Sequence, residues 1–341
     1  MSKSLDLGER KRGQTLIIVE GNHEKNELFQ SIFNSFPELS IRAEDVWIYG
    51  TNIYRLYEAI IKEYGEDWDE TDIDLPLLVS ERTQGVKRYK DDFTNIFLVF
   101  DYERHDPNFS ADKIKRMQAY FSDATDNGQL YINYPMIEAY QDVDNFDFYN
   151  FMEKVVPVSL QPGAKYKAMV RNTTVDFAIE HRVRLYRMLQ DRFNIKEEEL
   201  HPIVKEILES KEAADFDKKM ITLFGRVLEG KDVQTAAYQV IDHVFKVGYV
   251  KDGLNYWEHL RKLFVKIITL NIEKAYRIQG GVRYEPSIDL EMLKERFGKV
   301  DLKDVLDIQN RFSESEAGNI WVLSTCVMLV ADYNFNLLGN N

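Results

Sequence analysis

The sequence predicts an α/β domain, a parallel sheet flanked by helices, followed by an all-α C-terminal domain. Residues 15–140 alternate four times between short apolar runs and helical patterns. This alternation is typical of parallel strands joined by right-handed helical crossovers. After Asp142, strand patterns become scarce and long helical patterns take over. Because 341 residues are enough for two domains, we predict a flexible arm over 1–14, an α/β domain over 15–142 and a helical domain over 143–341.

Four apolar runs in the N-terminal half predict buried strands, because they are short and rich in β-branched and aromatic residues. They cover residues 15–19, 46–49, 96–100 and 130–132. Helical periodicity between them predicts helices over 24–36, 52–64 and 110–124, and a further helix that starts near Pro135. Ser110 has the residue type and position of an N-cap.

Helical patterns fill most of the C-terminal half. They cover residues 173–193, 196–210, 215–229, 233–247, 255–279, 288–297 and 302–312, and a closing segment runs from 320 to 333. We expect this half to serve docking, oligomerisation or substrate binding.

Composition narrows the function classes. A net charge of −13 argues against a broad basic surface that wraps nucleic acid. It leaves a nuclease possible, because metal ions in an acidic site neutralise phosphate locally. The single cysteine, Cys326, excludes an internal disulfide and predicts a packed core thiol in a reducing compartment. Residues 1–14 are polar and charged, so we expect no signal peptide there, and the apolar run 320–331 is too short to cross a bilayer. We therefore expect a soluble cytoplasmic protein that does not bind membranes.

Acidic residues follow the predicted strands where each one ends. Glu20 closes the first strand, Asp101 and Glu103 close the central strand, and Glu138 follows the fourth. The carboxyl ends of parallel strands meet at one edge of a sheet, so these side chains can converge. The period of two places Asp101 and Glu103 on one side if the extended conformation persists. Converging carboxylates need a proton or a cation between them, and Mg²⁺ prefers oxygen ligands. The alternative is a loop of solvated acids after ordinary strands.

These motifs resemble the Toprim domain. In that family one apolar strand ends in Glu-Gly, as at residues 17–21, and a second ends in Asp-x-Asp, which residues 99–103 match with Glu103 as the second acid. The Glu20–Glu24 spacing looks like that of the Toprim nucleases of bacterial phage defence, which include the OLD-family nucleases and the nuclease subunit of the PARIS system. Residues 133–138 are similar to the Asn-Pro-x-x-Glu element of related proteins, although Tyr134 interrupts it. The resemblance covers residues 15–140.

The resemblance implies an endonuclease that hydrolyses phosphodiester bonds with Mg²⁺ or Mn²⁺. It implies metal ligation by Glu20, Asp101, Glu103 and Glu138, and catalytic roles for Glu20, Glu24, Asp101 and Glu103. The longer side chain of Glu103 leaves open whether one or two metals bind. The implied biology is a toxic effector of anti-phage defence (abortive infection) that cleaves tRNA or DNA, with tRNA favoured by the PARIS resemblance. The chain has no P-loop, so a partner ATPase would control it, and we expect a homo-oligomer.

Further residues are candidates for substrate binding. Gly21 lets the backbone approach a ligand closely. His23 could act as a general base or bind phosphate, and the alternative is a loop histidine that only lies beside the acids. Lys87 could also bind phosphate, with a solvated surface cluster as the alternative. Arg184 and Arg187 share a helix face and could follow a nucleic-acid backbone. The alternative for Arg184 and Arg187 is pairing with Asp176 and Glu180.

Two other functions stay open. One is a housekeeping Toprim nuclease that matures RNA, although such ribosomal-RNA maturases are usually shorter and more basic. The other is a catalytically degenerate Toprim binding subunit whose acids are merely solvated.

Overall fold

The structure of this protein is a computed structural model that describes residues 14–83, 85–143, 146–160, 162–171, 173–280 and 289–339. Residues 1–13 of the predicted arm and residue 288, the predicted start of a helix, lie outside the described residues. Within these ranges, no helix combines the length and the apolar character that crossing a bilayer requires.

The described residues contain a five-stranded sheet. Its strands are β1 (Thr15–Val19), β2 (Val46–Ile48), β3 (Asn95–Asp101), β4 (Ser122–Asp123) and β5 (Gly128–Asn133). The order across the sheet is β2-β1-β3-β5-β4, with β4 antiparallel to β5 and all other neighbours parallel. The four predicted strands and their parallel arrangement are confirmed. β4 was not predicted, because two exposed polar residues carry no apolar pattern.

The centre of the sheet is buried on both faces. All of β1 is buried, and so is β3 from Ile96 to Asp101. Near-continuous apolar runs are what strands covered by helices on both faces require. Val19 pairs with Val99, while Asp101 pairs with Asn133. The ends of β1 and β3 therefore reach the same edge of the sheet, and β3 extends two residues further.

Helices flank the sheet. A π-helical segment, Glu24–Phe29, continues into α1 (Gln30–Ser35), followed by α2 (Ile53–Tyr64), α3 (Leu75–Thr83) and α4 (Ala111–Tyr120). The Ser110 hydroxyl accepts a hydrogen bond from the Lys113 N–H at 3.4 Å, which confirms the predicted N-cap of α4. The prediction of a helix near Pro135 is wrong in type, since a 3₁₀ segment, Ile137–Gln141, forms there. All five of its residues are buried in a tight connection, and 3₁₀ geometry suits such short segments.

The C-terminal half is helical, as predicted. Its helices are α5 (Phe148–Glu153), α6 (Lys167–Val170), α7 (Thr174–Ile179), α8 (His181–Phe193), α9 (Glu197–Leu208), α10 (Phe216–Phe224), α11 (Lys231–Val247), α12 (Tyr256–Gly280), α13 (Leu290–Phe297), α14 (Leu302–Glu314) and α15 (Leu329–Asn334). The helix predicted over 173–193 divides at Glu180. The half is not purely α, because β6 (Val155–Pro157) and β7 (Asn319–Trp321) form an antiparallel pair. Each strand has three residues, too few to show an alternating pattern.

The last segment of the chain returns to the sheet. Leu323 forms an antiparallel bridge with Tyr134, just beyond β5. The Thr325 hydroxyl donates a hydrogen bond to the Ile132 carbonyl at 2.8 Å. Cys326 is fully buried there, which confirms the prediction of a core thiol. One continuous hydrophobic core therefore includes side chains from both halves of the chain.

Candidate metal centre

Three carboxylates meet at the carboxyl edge of the sheet. Glu20 follows β1, Asp101 ends β3, and Glu103 lies two positions further. One carboxylate oxygen from each lies within 4.8 Å of the other two. Oxygen ligands of one divalent ion stand about 3–5 Å apart, given bond lengths of about 2.0–2.6 Å. The predicted convergence of these three residues is therefore present, with a spacing that suits a hard cation.

Glu103 reaches this cluster through a turn and not through an extended strand. β3 ends at Asp101, and Glu103 has a φ of +48°, in the left-handed region that side chains other than glycine rarely adopt. The Tyr102 N–H donates to the Asn133 carbonyl at 3.0 Å, and the Asp106 N–H donates to the Glu103 carbonyl at 2.9 Å. These bonds hold the turn. The prediction that Glu103 lies on the same side as Asp101 is thus correct, but it assumed an extended strand where the structure has a turn.

Asp101 is the most deeply placed member of the cluster. Its side chain is 5% exposed, and its Oδ1 has no hydrogen-bond partner among the described residues. Glu20 Oε2 and Glu138 Oε2 are unpartnered in the same sense. A buried polar atom without a partner costs about 1–3 kcal/mol, more when it is charged. Bound protons or a cation would remove this cost.

The acids shift one another's proton affinity. Burial, followed by repulsion from Glu103 and Glu24, raises the pKa of Glu20 to about 8. Burial and the charges of Glu20 and Glu24 raise the pKa of Asp101 well above its ordinary range. Burial also raises the pKa values of Glu24 and Glu103. Without a cation, the cluster therefore holds protons at neutral pH.

Glu24 and Glu138, the other two predicted acids, border the three-residue cluster. Glu24 is buried, and its Oε2 accepts a hydrogen bond from the Gly21 N–H at 3.0 Å. A Cβ on Gly21 would lie 3.2 Å from that oxygen, so the glycine makes room for the Glu24 carboxylate. Glu138 is also buried, in the 3₁₀ segment after β5. Both carboxylates repel the charge on Asp101.

Lys167 is a site residue that sequence reasoning missed. It begins α6 in the helical half, and its Nζ lies 2.8 Å from Glu138 Oε1. Burial disfavours its charge, but the bond to Glu138 and the attraction of Asp101 and Glu24 raise its pKa on balance. Nothing in the local sequence marks this lysine, because only the packing of α6 brings it to the sheet edge.

A cleft of about 550 Å³ opens beside the acids. His23 lies in it, with Nδ1 3.0 Å from Glu27 Oε2 and Nε2 3.8 Å from Glu138 Oε1. Burial lowers the pKa of His23, but the hydrogen bond and charge of Glu27 outweigh this and leave it raised. The basic side chains that line the cleft are Lys167, Arg171, Arg184 and Arg187.

The two predicted arginines lie in this cleft. Arg184 forms ion pairs with Asp176 at 2.8 Å and Glu180 at 3.0 Å, which confirms the alternative considered for it from the sequence. Arg187 lines the cleft and attracts Glu27 electrostatically. Arg187 is therefore the better placed of the two to meet a ligand.

The structure does not bring Lys87 to the site. Its Nζ pairs with Glu81 at 2.7 Å on the surface. The next residue, Arg88, donates a hydrogen bond to the side chain of Gln14, just before β1. A residue shortly upstream of a parallel strand lies near the amino edge of the sheet, opposite the acids.

Lys167 and Arg187 thus lie beside a cluster of carboxylates that can hold a cation. Such an arrangement can bring a divalent ion and a phosphate together. No family model, curated protein or solved structure matches this chain.

Proposed function

We propose that this chain is a cytoplasmic, Mg²⁺- or Mn²⁺-dependent Toprim-type nuclease that hydrolyses phosphodiester bonds. The observation that carries the proposal is the meeting of Glu20, Asp101 and Glu103 at one sheet edge, with Asp101 Oδ1 buried and unpartnered. A cation between these oxygens would offset both their desolvation and their mutual repulsion.

Each residue around the cluster has a distinct task in this proposal. Glu20, Asp101 and Glu103 would hold the ion, which when bound supplies Lewis-acid chemistry and a more acidic water. Glu24 and Glu138 would position water or complete a second metal site. Lys167 and Arg187 would hold the phosphate from the cleft side.

The Toprim assignment is supported by the order of the site along the chain. Glu20-Gly21 follows β1, Asp101 ends β3 with Glu103 just beyond it, and Glu138 follows β5, with the three strands adjacent and parallel. These acids are far apart in the sequence, and they meet because their strands are neighbours in the sheet. The order therefore agrees with the resemblance described from the sequence.

The proposed biological role is that of a toxic effector in anti-phage defence. The substrate would be tRNA or DNA, and a partner ATPase would control access to it. A cleft in which four basic side chains are balanced by four carboxylates suits a nuclease that must avoid indiscriminate binding. We propose that the helical half contributes partner docking or homo-oligomer contacts.

The experiment compares cleavage of total tRNA and of plasmid DNA by the purified full chain with Mg²⁺, with Mn²⁺ and with EDTA. Asp101→Asn and Glu20→Gln should lower cleavage by more than about 100-fold, because even outer partners of metal ligands are typically worth about 10- to 100-fold. The matched control is Asp217→Asn, an exposed aspartate on α10. Wild-type rates in Asp101→Asn would overturn the site assignment.

A metal titration separates the nuclease from a degenerate binding subunit. Mg²⁺ or Mn²⁺ at about 100 times Kd should stabilise the wild-type fold by about 2.7 kcal/mol. The same titration on Glu20→Gln should give a much smaller shift in Tm. The degenerate alternative predicts no metal-dependent shift in the wild type.

A further inference from the structure

A second cavity, of about 620 Å³, lies in the helical half. It is bounded by α7, α11 and α12 and by the loop after α11. Three lysines line it: Lys246 near the end of α11, and Lys262 and Lys266 on successive turns of α12. The volume falls in the range of small-molecule sites, about 300–1,000 Å³.

The cavity carries a positive charge within an acidic protein. Among the residues that the structure describes, no carboxylate forms an ion pair with any of the three lysines. One acid, Asp252, shares the lining. Burial lowers the pKa of His259 in the same wall, and the charges of Lys266 and Lys262 lower it as well, although the charge of Asp252 opposes them. Unpaired cations that converge on a cavity favour an anionic ligand.

Aromatic rings form part of the same wall. Phe146 and Phe177 are half-buried and line the cavity. Lys246 Nζ lies 4.2 Å from the centre of the Phe177 ring, and Lys266 Nζ lies 5.4 Å from the centre of the Phe146 ring. A ligand with a planar ring and an anionic group could contact both the phenylalanine rings and the lysines, because aromatic rings stack on one another and ammonium groups bind phosphate.

We propose that this cavity binds a nucleotide, whose base displaces the Lys246 ammonium from the Phe177 ring and whose phosphates bind Lys246 and Lys262. The hydroxyls of Thr173 and Thr174 are further polar groups in the lining. A nucleic-acid strand fits less well, because it needs a basic track that extends along the surface. Here three exposed lysines are gathered around one open cavity between helices.

The cavity is separate from the candidate metal centre but shares a wall with its cleft. Asp176 of α7 lines the cleft, and Phe177, the next residue, lines the cavity. The guanidinium of Arg184, a cleft residue, lies 5.0 Å from the centre of the Phe177 ring. A nucleotide stacked on Phe177 would therefore contact a ring that also supports the cleft. Binding itself does not depend on the proposed nuclease activity.

The test measures binding of ADP and of inorganic pyrophosphate to the full chain by calorimetry, in EDTA so that no metal-bridged contact with the acidic cluster forms. ADP should bind the wild type with a Kd below about 1 mM. Lys246→Gln and Lys262→Gln should each weaken ADP binding by about tenfold, the loss of one charge-assisted contact. The matched control is Lys231→Gln, an exposed lysine at the start of α11, which should bind as the wild type does.

The aromatic part of the proposal has its own test. Phe177→Leu should weaken ADP binding by about tenfold while changing pyrophosphate binding little, because only the base stacks on the ring. If Phe177→Leu fails to fold, pyrophosphate must still bind the wild type at least about tenfold more weakly than ADP. The proposal is overturned if ADP does not bind, if Lys246→Gln and Lys262→Gln bind like Lys231→Gln, or if pyrophosphate binds as tightly as ADP.

Discussion

At the scale of single residues, the carboxyl of Asp101 dominates the behaviour of the candidate metal centre. It is buried, its Oδ1 is unpartnered, and four neighbouring carboxylates oppose its ionisation. The same features mean that this carboxylate destabilises the metal-free fold but is well suited to bind a cation. The cost of such a group is typical of functional sites, where perturbed pKa values concentrate.

The pH dependence of stability follows from these shifts. The pKa of Glu20 is raised from 4.5 to about 8, so its stabilising contribution is complete below pH 4.5 and is lost as the pH rises through 8. Burial lowers the pKa of His243 to about 4 and that of His181 well below its ordinary value. Below pH 6.5 these two histidines make stability rise with pH, because the unfolded chain binds protons that the buried imidazoles do not. Burial also lowers the pKa of Lys274, which makes stability rise with pH. Relative to the Tm of Glu20→Gln, the Tm of the metal-free wild type should therefore fall between pH 6.5 and 8.

Thermal unfolding in EDTA across this pH window checks the expectation. Saturating Mg²⁺ should flatten the decline, because the cation replaces the protons. Asp101→Asn should flatten it as well, by removing one of the mutually repelling charges, whereas Asp217→Asn should behave like the wild type. A metal-free wild-type Tm that rises from pH 6.5 to 8 relative to the Tm of Glu20→Gln would contradict the assigned pKa shift of Glu20.

Lys167 offers a prediction in which metal binding and cleavage change in opposite directions. Lys167→Gln removes a cation that contacts Glu138 at 2.8 Å and that attracts Glu20, Asp101 and Glu103. Mg²⁺ should then bind more tightly, because the field at the cluster becomes more negative. Cleavage should fall by about 10- to 100-fold, because the phosphate loses a partner.

Calorimetric Mg²⁺ titration and the cleavage assay measure the two effects of Lys167→Gln. The matched control is Lys165→Gln, an exposed lysine two positions earlier that does not line the cleft. Weaker Mg²⁺ binding in Lys167→Gln would show that the lysine only supports the local structure.

At the scale of elements, a buried lysine connects α12 to the end of α5. Lys274 is fully buried, and its Nζ donates hydrogen bonds to the carbonyls of Phe151 at 2.6 Å and Lys154 at 2.8 Å. Burial lowers its pKa well below the ordinary value. The side chain thus gives each carbonyl a second donor, beside the Lys154 N–H for Phe151 and the Val322 N–H for Lys154.

Lys274→Met should destabilise the fold markedly. The substitution removes the lysine from the carbonyls of Phe151 and Lys154, at about 0.5–1.5 kcal/mol for each lost hydrogen bond. The control is Lys266→Met, an exposed position on the same helix, for which we expect a change within about 0.5 kcal/mol. Urea unfolding followed by circular dichroism measures both. Equal stability of the two variants would mean that water replaces the lysine at α5.

At the scale of the whole molecule, the two halves of the chain share one core. The Tyr102 hydroxyl donates to Asn310 Oδ1 at 2.6 Å, and the bridge between Tyr134 and Leu323 extends the edge of β5. α6 from the helical half supplies Lys167 to the sheet edge. The candidate site is therefore built by the whole chain.

A fragment of residues 1–142 should consequently not fold as the full chain does. It would expose the faces that α14 and residues 319–338 cover, and the Ile132 carbonyl would lose Thr325 as its donor. Heteronuclear NMR of the fragment should show the narrow dispersion of an unfolded or molten chain. A well-dispersed spectrum would instead establish the α/β half as an independent domain.

Apolar runs and acidic strand ends were sufficient to predict the parallel sheet, its four main strands and the convergence of Glu20, Asp101 and Glu103. The prediction succeeded because local apolar patterns indicate buried parallel strands, and the carboxyl ends of parallel strands lie at one edge of the sheet. Only the tertiary structure decided that Lys167 faces these acids, that Arg184 is occupied by Asp176 and Glu180, and that three lysines surround one cavity. Those contacts depend on how helices distant in sequence pack, and no periodicity within a single helix specifies its neighbours.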